Sequence, residues 1–143
     1  MKIKALSLAM GAGLAMMASQ SFALLPTVTP NFTINISGAS AQQKTLGALL
    51  ASFCQAGTLD RYYDNGGTLN AETGALWRSY FCTLSTTNAS VPTSLRGQNV
   101  LFNNRSKGGS VWGVVPVARN QKVEFLNIGT AVGGACTDRK SVV

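Results

Sequence analysis

The stretch Phe32–Cys54, FTINISGASAQQKTLGALLASFC, decides how the chain folds. Phe32, Ile34 and Ile36 alternate with Thr33, Asn35 and Ser37, the period of two that marks a strand with one buried face. Gly38 then breaks the pattern. From Ala41 to Cys54 the period changes: Leu46, Leu49, Leu50 and Phe53 fall at i, i+3, i+4 and i+7, one face of a helix. Ser40 with Gln43 three residues later forms a capping box, and Gly57 sits where a C-terminal cap belongs. Strand, tight turn and helix are each marked by a separate signal. They predict an α/β fold.

Downstream, residues 58 to 75 are rich in turn formers, with Asp64-Asn65-Gly66-Gly67 and Gly74. Leu76 to Leu84 is apolar and aromatic and fits either a strand or a short helix. Trp77, Tyr80 and Phe81 read as core, and packing is also the better account of Tyr62 and Tyr63. A polar loop covers 85 to 98. Asn99–Asn103 reads as a second strand, Val111–Val115 as a short segment stopped by Pro116, and Val123–Ile128 as a third strand.

The ends carry different information. Met1-Lys2-Ile3-Lys4, an apolar run to Ala18 and the small-x-small pattern Ser21-Phe22-Ala23 predict a secretory signal peptide over residues 1–23, cleaved after Ala23. The tail Asp138–Val143, DRKSVV, is what GATCGGAAGAGCGTCGTG encodes, the start of a common sequencing adapter. Residues 138–143 are therefore expected to be a read-through artefact, and residues 24–137 the first part of a longer protein. The sequence has a net charge of +7; setting aside Lys2, Lys4, Asp138, Arg139 and Lys140 leaves +4. That balance is mildly basic. It lacks the dense cationic stripe of a nucleic-acid binder, but it favours small anions.

Export makes a disulfide the default for Cys54, Cys82 and Cys136. Cys54–Cys82 is the expected pair because it closes a local loop. Cys136 is left over, for a partner further along the chain, another molecule, or a free thiol. The chain has no histidine, and no cysteine pair has metal-ligand spacing, so neither a zinc site nor a Ser-His-Asp triad is expected. Without a nucleophile beside its base, or an acid–base pair, the chain is not expected to be an enzyme.

Two stretches could hold an anion. Ser37-Gly38-Ala39-Ser40-Ala41 places a helix start after a strand end, where N–H groups and the helix dipole favour negative charge. Its bland alternative is a helix cap at Ser40. Arg105 to Ser110, RSKGGS, combines two cations, two hydroxyls and the pair Gly108-Gly109. Its alternative is a solvated turn. If their strands are parallel neighbours, both loops lie at the carboxyl ends of one sheet, where open α/β sheets bind ligands.

The motifs ISGASAQQ (36–43), NVLFNNRSKGGSVWGV (99–114) and VEFLNI (123–128) resemble the beginning of phosphate-type periplasmic solute-binding proteins. The resemblance spans about residues 32 to 128. It implies a partial first lobe of a two-lobed periplasmic-binding-protein-like fold, with a closing lobe beyond this chain. It places Ala39, Ser40 and Ala41 in the first oxyanion loop and Ser106, Gly108, Gly109 and Ser110 in the second, with Arg105 as an added charge complement. It implies phosphate or a related oxyanion as ligand, no cofactor, a periplasmic or secreted bacterial location, and the membrane component of an ABC transporter as partner. The other function class compatible with these residues is a non-transport surface or secreted structural protein on the same fold.

Overall fold

The computed structural model describes residues 24–38, 40–64, 75–130 and 139–142. The expected signal peptide, Ala39, Cys136 and Asp138 lie outside the described residues, as does the side chain of Gln43 in the expected capping box.

Strand β1 (Phe32–Ser37) runs into a 3-10 turn (Ser40–Gln42) and helix α1 (Gln43–Phe53). Then follow β2 (Asp60–Tyr63), β3 (Trp77–Thr83), β4 (Asn99–Arg105), α2 (Val111–Ala118), β5 (Val123–Leu126) and β6 (Arg139–Val142). Four strands form one mixed sheet in the order β1-β4-β3-β2. β1 is parallel to β4, while β4–β3 and β3–β2 are antiparallel. The expected α/β class holds, in mixed form. The expected third strand, β5, pairs outside this sheet. It forms a separate antiparallel pair with β6, in register from Val123↔Val142 to Leu126↔Arg139.

Both faces of the two central strands are covered. On one face, Val100 and Phe102 of β4 join Tyr80 and Cys82 of β3 under Leu50 of α1, with Leu84 and Val91 closing the cluster. On the other, Leu101, Phe81, Trp77 and Tyr62 pack with Leu126 and Ile128 at the end of β5. Trp77 Nε1 donates to the Glu124 carbonyl at 3.0 Å and fixes β5 over the sheet. Double coverage explains why 76–84 shows no alternation: every residue from Trp77 to Cys82 is buried. Tyr62 and Tyr63 are core, at 2 % and 1 % exposure.

The end of α1 is stitched to the end of β3. A disulfide joins Cys54 to Cys82, as the sequence predicts. Gln55 N donates to Thr83 O and Ser85 N to Phe53 O, both at 2.8 Å. α1 therefore stops at Phe53, and Gly57 (φ +80°) serves the turn beyond it rather than the helix cap. The polar loop after β3 is ordered by its own side chains. Ser85 Oγ accepts from the N–H groups of Thr87 and Asn88, and Arg96 Nε donates to the Val91 carbonyl.

Two elements correct the sequence expectation. β2 lies within the stretch read as turns. Helix α2 runs through Pro116, which was expected to stop the chain at Val115. One missing N–H does not end the helix because bonds beyond the proline close it: Arg119 N donates to Val115 O at 3.0 Å and Gln121 N to Pro116 O at 2.8 Å.

Candidate anion site at the carboxyl ends of β1 and β4

β1 and β4 end level with each other. Their parallel register runs from Phe32↔Val100 to Ser37↔Arg105, and Gly38 N donates to Arg105 O at 2.9 Å. From these ends the chain goes opposite ways. After β1 it climbs to α1, on the Leu50 face. After β4 it enters α2, which shares a cavity with Asn35, Ser37 and β5 on the other face. Neighbouring parallel strands whose helices diverge leave a crevice between their loops, the position where open α/β sheets take ligands.

Glycines set the closeness of this junction. Gly38 has φ +111°, and a side chain there would place Cβ 2.9 Å from the Gly113 Cα. A Cβ on Gly113 would sit 2.9 Å from the Ser37 carbonyl oxygen. The first turn of α2 thus rests directly on the backbone of the β1 turn. Gly109 (φ +65°) brings the second loop to the first: a Cβ there would lie 4.0 Å from Ser40 Oγ.

The polar groups at this junction fall into two sets. Gly109 N, Trp112 N and Gly113 N are committed to local turn bonds. Among the described residues, no backbone bond engages the N–H groups of Gly108, Ser110 and Val111. Ser110 stands at the N-cap of α2 and makes no side-chain cap bond. Ser40 and Ala41 are exposed at the start of their 3-10 turn. Donors at the start of two helical segments therefore meet at one place, with partial positive charge behind them.

Ser106 does not add to that set. It is buried, and both its N–H (2.8 Å) and its hydroxyl (3.1 Å) donate to the Leu76 carbonyl, so it anchors the loop to the start of β3. Arg105 is turned inward. It is 7 % exposed, its Nη1 donates to the Lys107 carbonyl at 2.9 Å, and its guanidinium lies 4.6 Å from the Trp112 ring centre and 5.8 Å from that of Trp77. Desolvation lowers its pKa below the ordinary arginine value, and the field of Glu124 opposes that shift. Lys107 is exposed and stacks over Trp77 at 5.0 Å. Both cations of the loop are thus held on tryptophan faces.

The structure brings together Ser40, Gly109 and Ser110, with Gly108 beside them; Ala39 lies outside the described residues. Sequence reasoning missed Trp112 and Gly113. A glycine inside the apolar run VWGVV was the available signal, since it marks a close backbone approach. Among the described residues no group of three His, Cys, Asp or Glu could hold a metal ion. No family model, curated protein or solved structure matches the chain.

Proposed function

We propose that this chain is the ligand-binding part of an exported solute-binding protein, and that it takes phosphate or a related tetrahedral oxyanion. One observation carries the reading. The carboxyl ends of β1 and β4 are parallel and in register, and their loops bring Ser40 close to Gly109, next to Ser110 and unengaged N–H groups, where the following helices diverge. Oxyanions are held in such places by N–H donors and hydroxyls. Arg105 and Lys107 add an attractive field from within the loop, partly offset at Arg105 by Glu124 of β5. In this reading the lobe closes with a second one and hands its ligand to a transporter's membrane component.

Calorimetric titration of inorganic phosphate and sulfate into the protein carrying both lobes tests the proposal. Saturable binding, weakened about tenfold in Ser40→Ala and in Ser110→Ala, is the expected result, since each loses one hydrogen bond to a charged group. Binding untouched by both substitutions would place the anion elsewhere. No binding at all in that two-lobed protein would return RSKGGS to the class of ordinary turns.

A further inference from the structure

A cavity beside α2 has a lining distinct from the two loops of the candidate anion site. A cavity of about 550 Å³ opens between β1, α2 and β5, within the range of roughly 300–1,000 Å³ typical of small-molecule sites. Gly38, Ser40, Gly109 and Ser110 do not line it. The contact of Gly113 on the Ser37 carbonyl lies between the two places.

The lining is mostly apolar, with Asn35, Ser37, Asn120 and Gln121 as its polar side chains. Among the described residues, no Asp, Glu, Lys or Arg borders this cavity, or the adjoining one of about 360 Å³ that shares Asn35 and Phe125 with it. A fully ionised ligand would find no counter-charge here. The polar atoms present are amides and a hydroxyl. Ser37 Oγ is buried and has no hydrogen-bond partner. The side-chain amides of Asn120 and Gln121 stand at the rim with no bond among the described residues.

The orientation of Asn35 is fixed by a relay across the sheet. Ser79 Oγ donates to Asn103 Oδ1 at 2.6 Å, and Asn103 Nδ2 donates to Asn35 Oδ1 at 2.9 Å. Because Asn35 Oδ1 accepts from inside the sheet, its Nδ2 is left as a donor at the junction of the two cavities. Trp112 and Phe125 contribute ring surface to the same wall.

We infer that this cavity binds a neutral polyhydroxylated ligand of the sugar class. Such a ligand presents donors and acceptors on every carbon and carries apolar C–H faces. It can take a hydrogen bond from Asn35 Nδ2, engage Asn120 and Gln121, and rest its C–H faces against a ring. The site would be filled independently of the oxyanion.

Titration of glucose and maltose into the folded chain tests this, followed by Trp fluorescence and by saturation-transfer NMR. Asn35→Asp is the decisive variant: it keeps the acceptor that Asn103 needs and removes the outward donor. Saturable binding of at least one sugar, about tenfold weaker in Asn35→Asp and unaffected by saturating inorganic phosphate, is expected. Should Asn35→Asp fail to fold, Gln121→Ala, at an exposed rim position, takes its place with the same expectation. Absence of saturable binding, equal affinity in the variant, or competition by phosphate would each overturn the inference. The last outcome would leave the anion reading standing, whereas a phosphate titration without binding would remove that reading and leave this one intact.

Discussion

Arg105 is the residue whose position differs most from what its sequence context suggests. A cation in a Gly-Ser loop invites direct pairing with an anion. Its guanidinium is instead turned between Trp112 and Trp77 and bonded to the Lys107 carbonyl. The sequence could not show this, because both tryptophans come from other elements: Trp77 from β3 and Trp112 from α2. The side chain therefore shapes the loop and acts on an anion through its field. Replacing Arg105 with Met should cost about 1–2 kcal/mol of stability, through the lost stacking and hydrogen bond. Phosphate affinity should fall only a few-fold, and the loss should shrink as salt is raised. A direct bidentate contact would instead cost about 2 kcal/mol or more, near thirtyfold, with weak dependence on salt. Titrations of Arg105→Met at low and high ionic strength separate the two.

At the scale of elements, legibility followed periodicity. β1 and α1 were readable because the pattern 2 and the pattern 3.6 survive in their residue types, although Ile34 and Leu49, on the faces read as buried, are 38 % and 51 % exposed. β3 was ambiguous because both of its faces are buried, which erases alternation. β2 was invisible: Asp60–Tyr63 is four residues long, begins with two charges, and is a strand because it pairs with β3 from Asp60↔Phe81 to Tyr63↔Arg78. α2 was hidden by Pro116, and also by its valines. Val111, Val114 and Val117 lie on its outer side, at 63 %, 67 % and 83 % exposure, so apolar residues occur all round the helix and no amphipathic stripe shows. What positions α2 is its glycine. Gly113→Ala should push the first turn of α2 off the Ser37 carbonyl, which is backbone and cannot swing aside. We expect a loss of about 1–3 kcal/mol in urea denaturation, the usual cost of overpacking, with weaker phosphate binding because Ser110 moves with the turn. An unchanged denaturation midpoint would mean that α2 docks more loosely than this contact requires.

For the whole molecule, the α/β class and the parallel meeting of the loops after β1 and β4 were legible, whereas the layering was not. Nothing in VEFL distinguishes a strand that extends the main sheet from one that crosses its face. That choice is made by Trp77, whose indole N–H reaches the Glu124 carbonyl from forty-seven residues away in sequence. The same sheet separates stability from binding. The disulfide attaches where Cys82 pairs with Val100, near the start of β4, and the proposed anion site lies where Ser37 pairs with Arg105, at its end. Along a strand that separation is about 16 Å, at roughly 3.3 Å per residue. The Cys54→Ala/Cys82→Ala variant should therefore lose about 3–4 kcal/mol of stability, the entropy returned to the unfolded chain when a loop of this length is opened. In conditions where the variant is still folded, its phosphate affinity should match that of the parent, because the bonds that hold the two loops, Gly38 N to Arg105 O and Ser106 N to Leu76 O, are far from the cut. Urea denaturation and calorimetry on the same preparations give both numbers. A parallel fall in affinity and stability would show that α1, freed at its far end, carries Ser40 away from Gly109, and that the crevice depends on the whole lobe rather than on the ends of two strands.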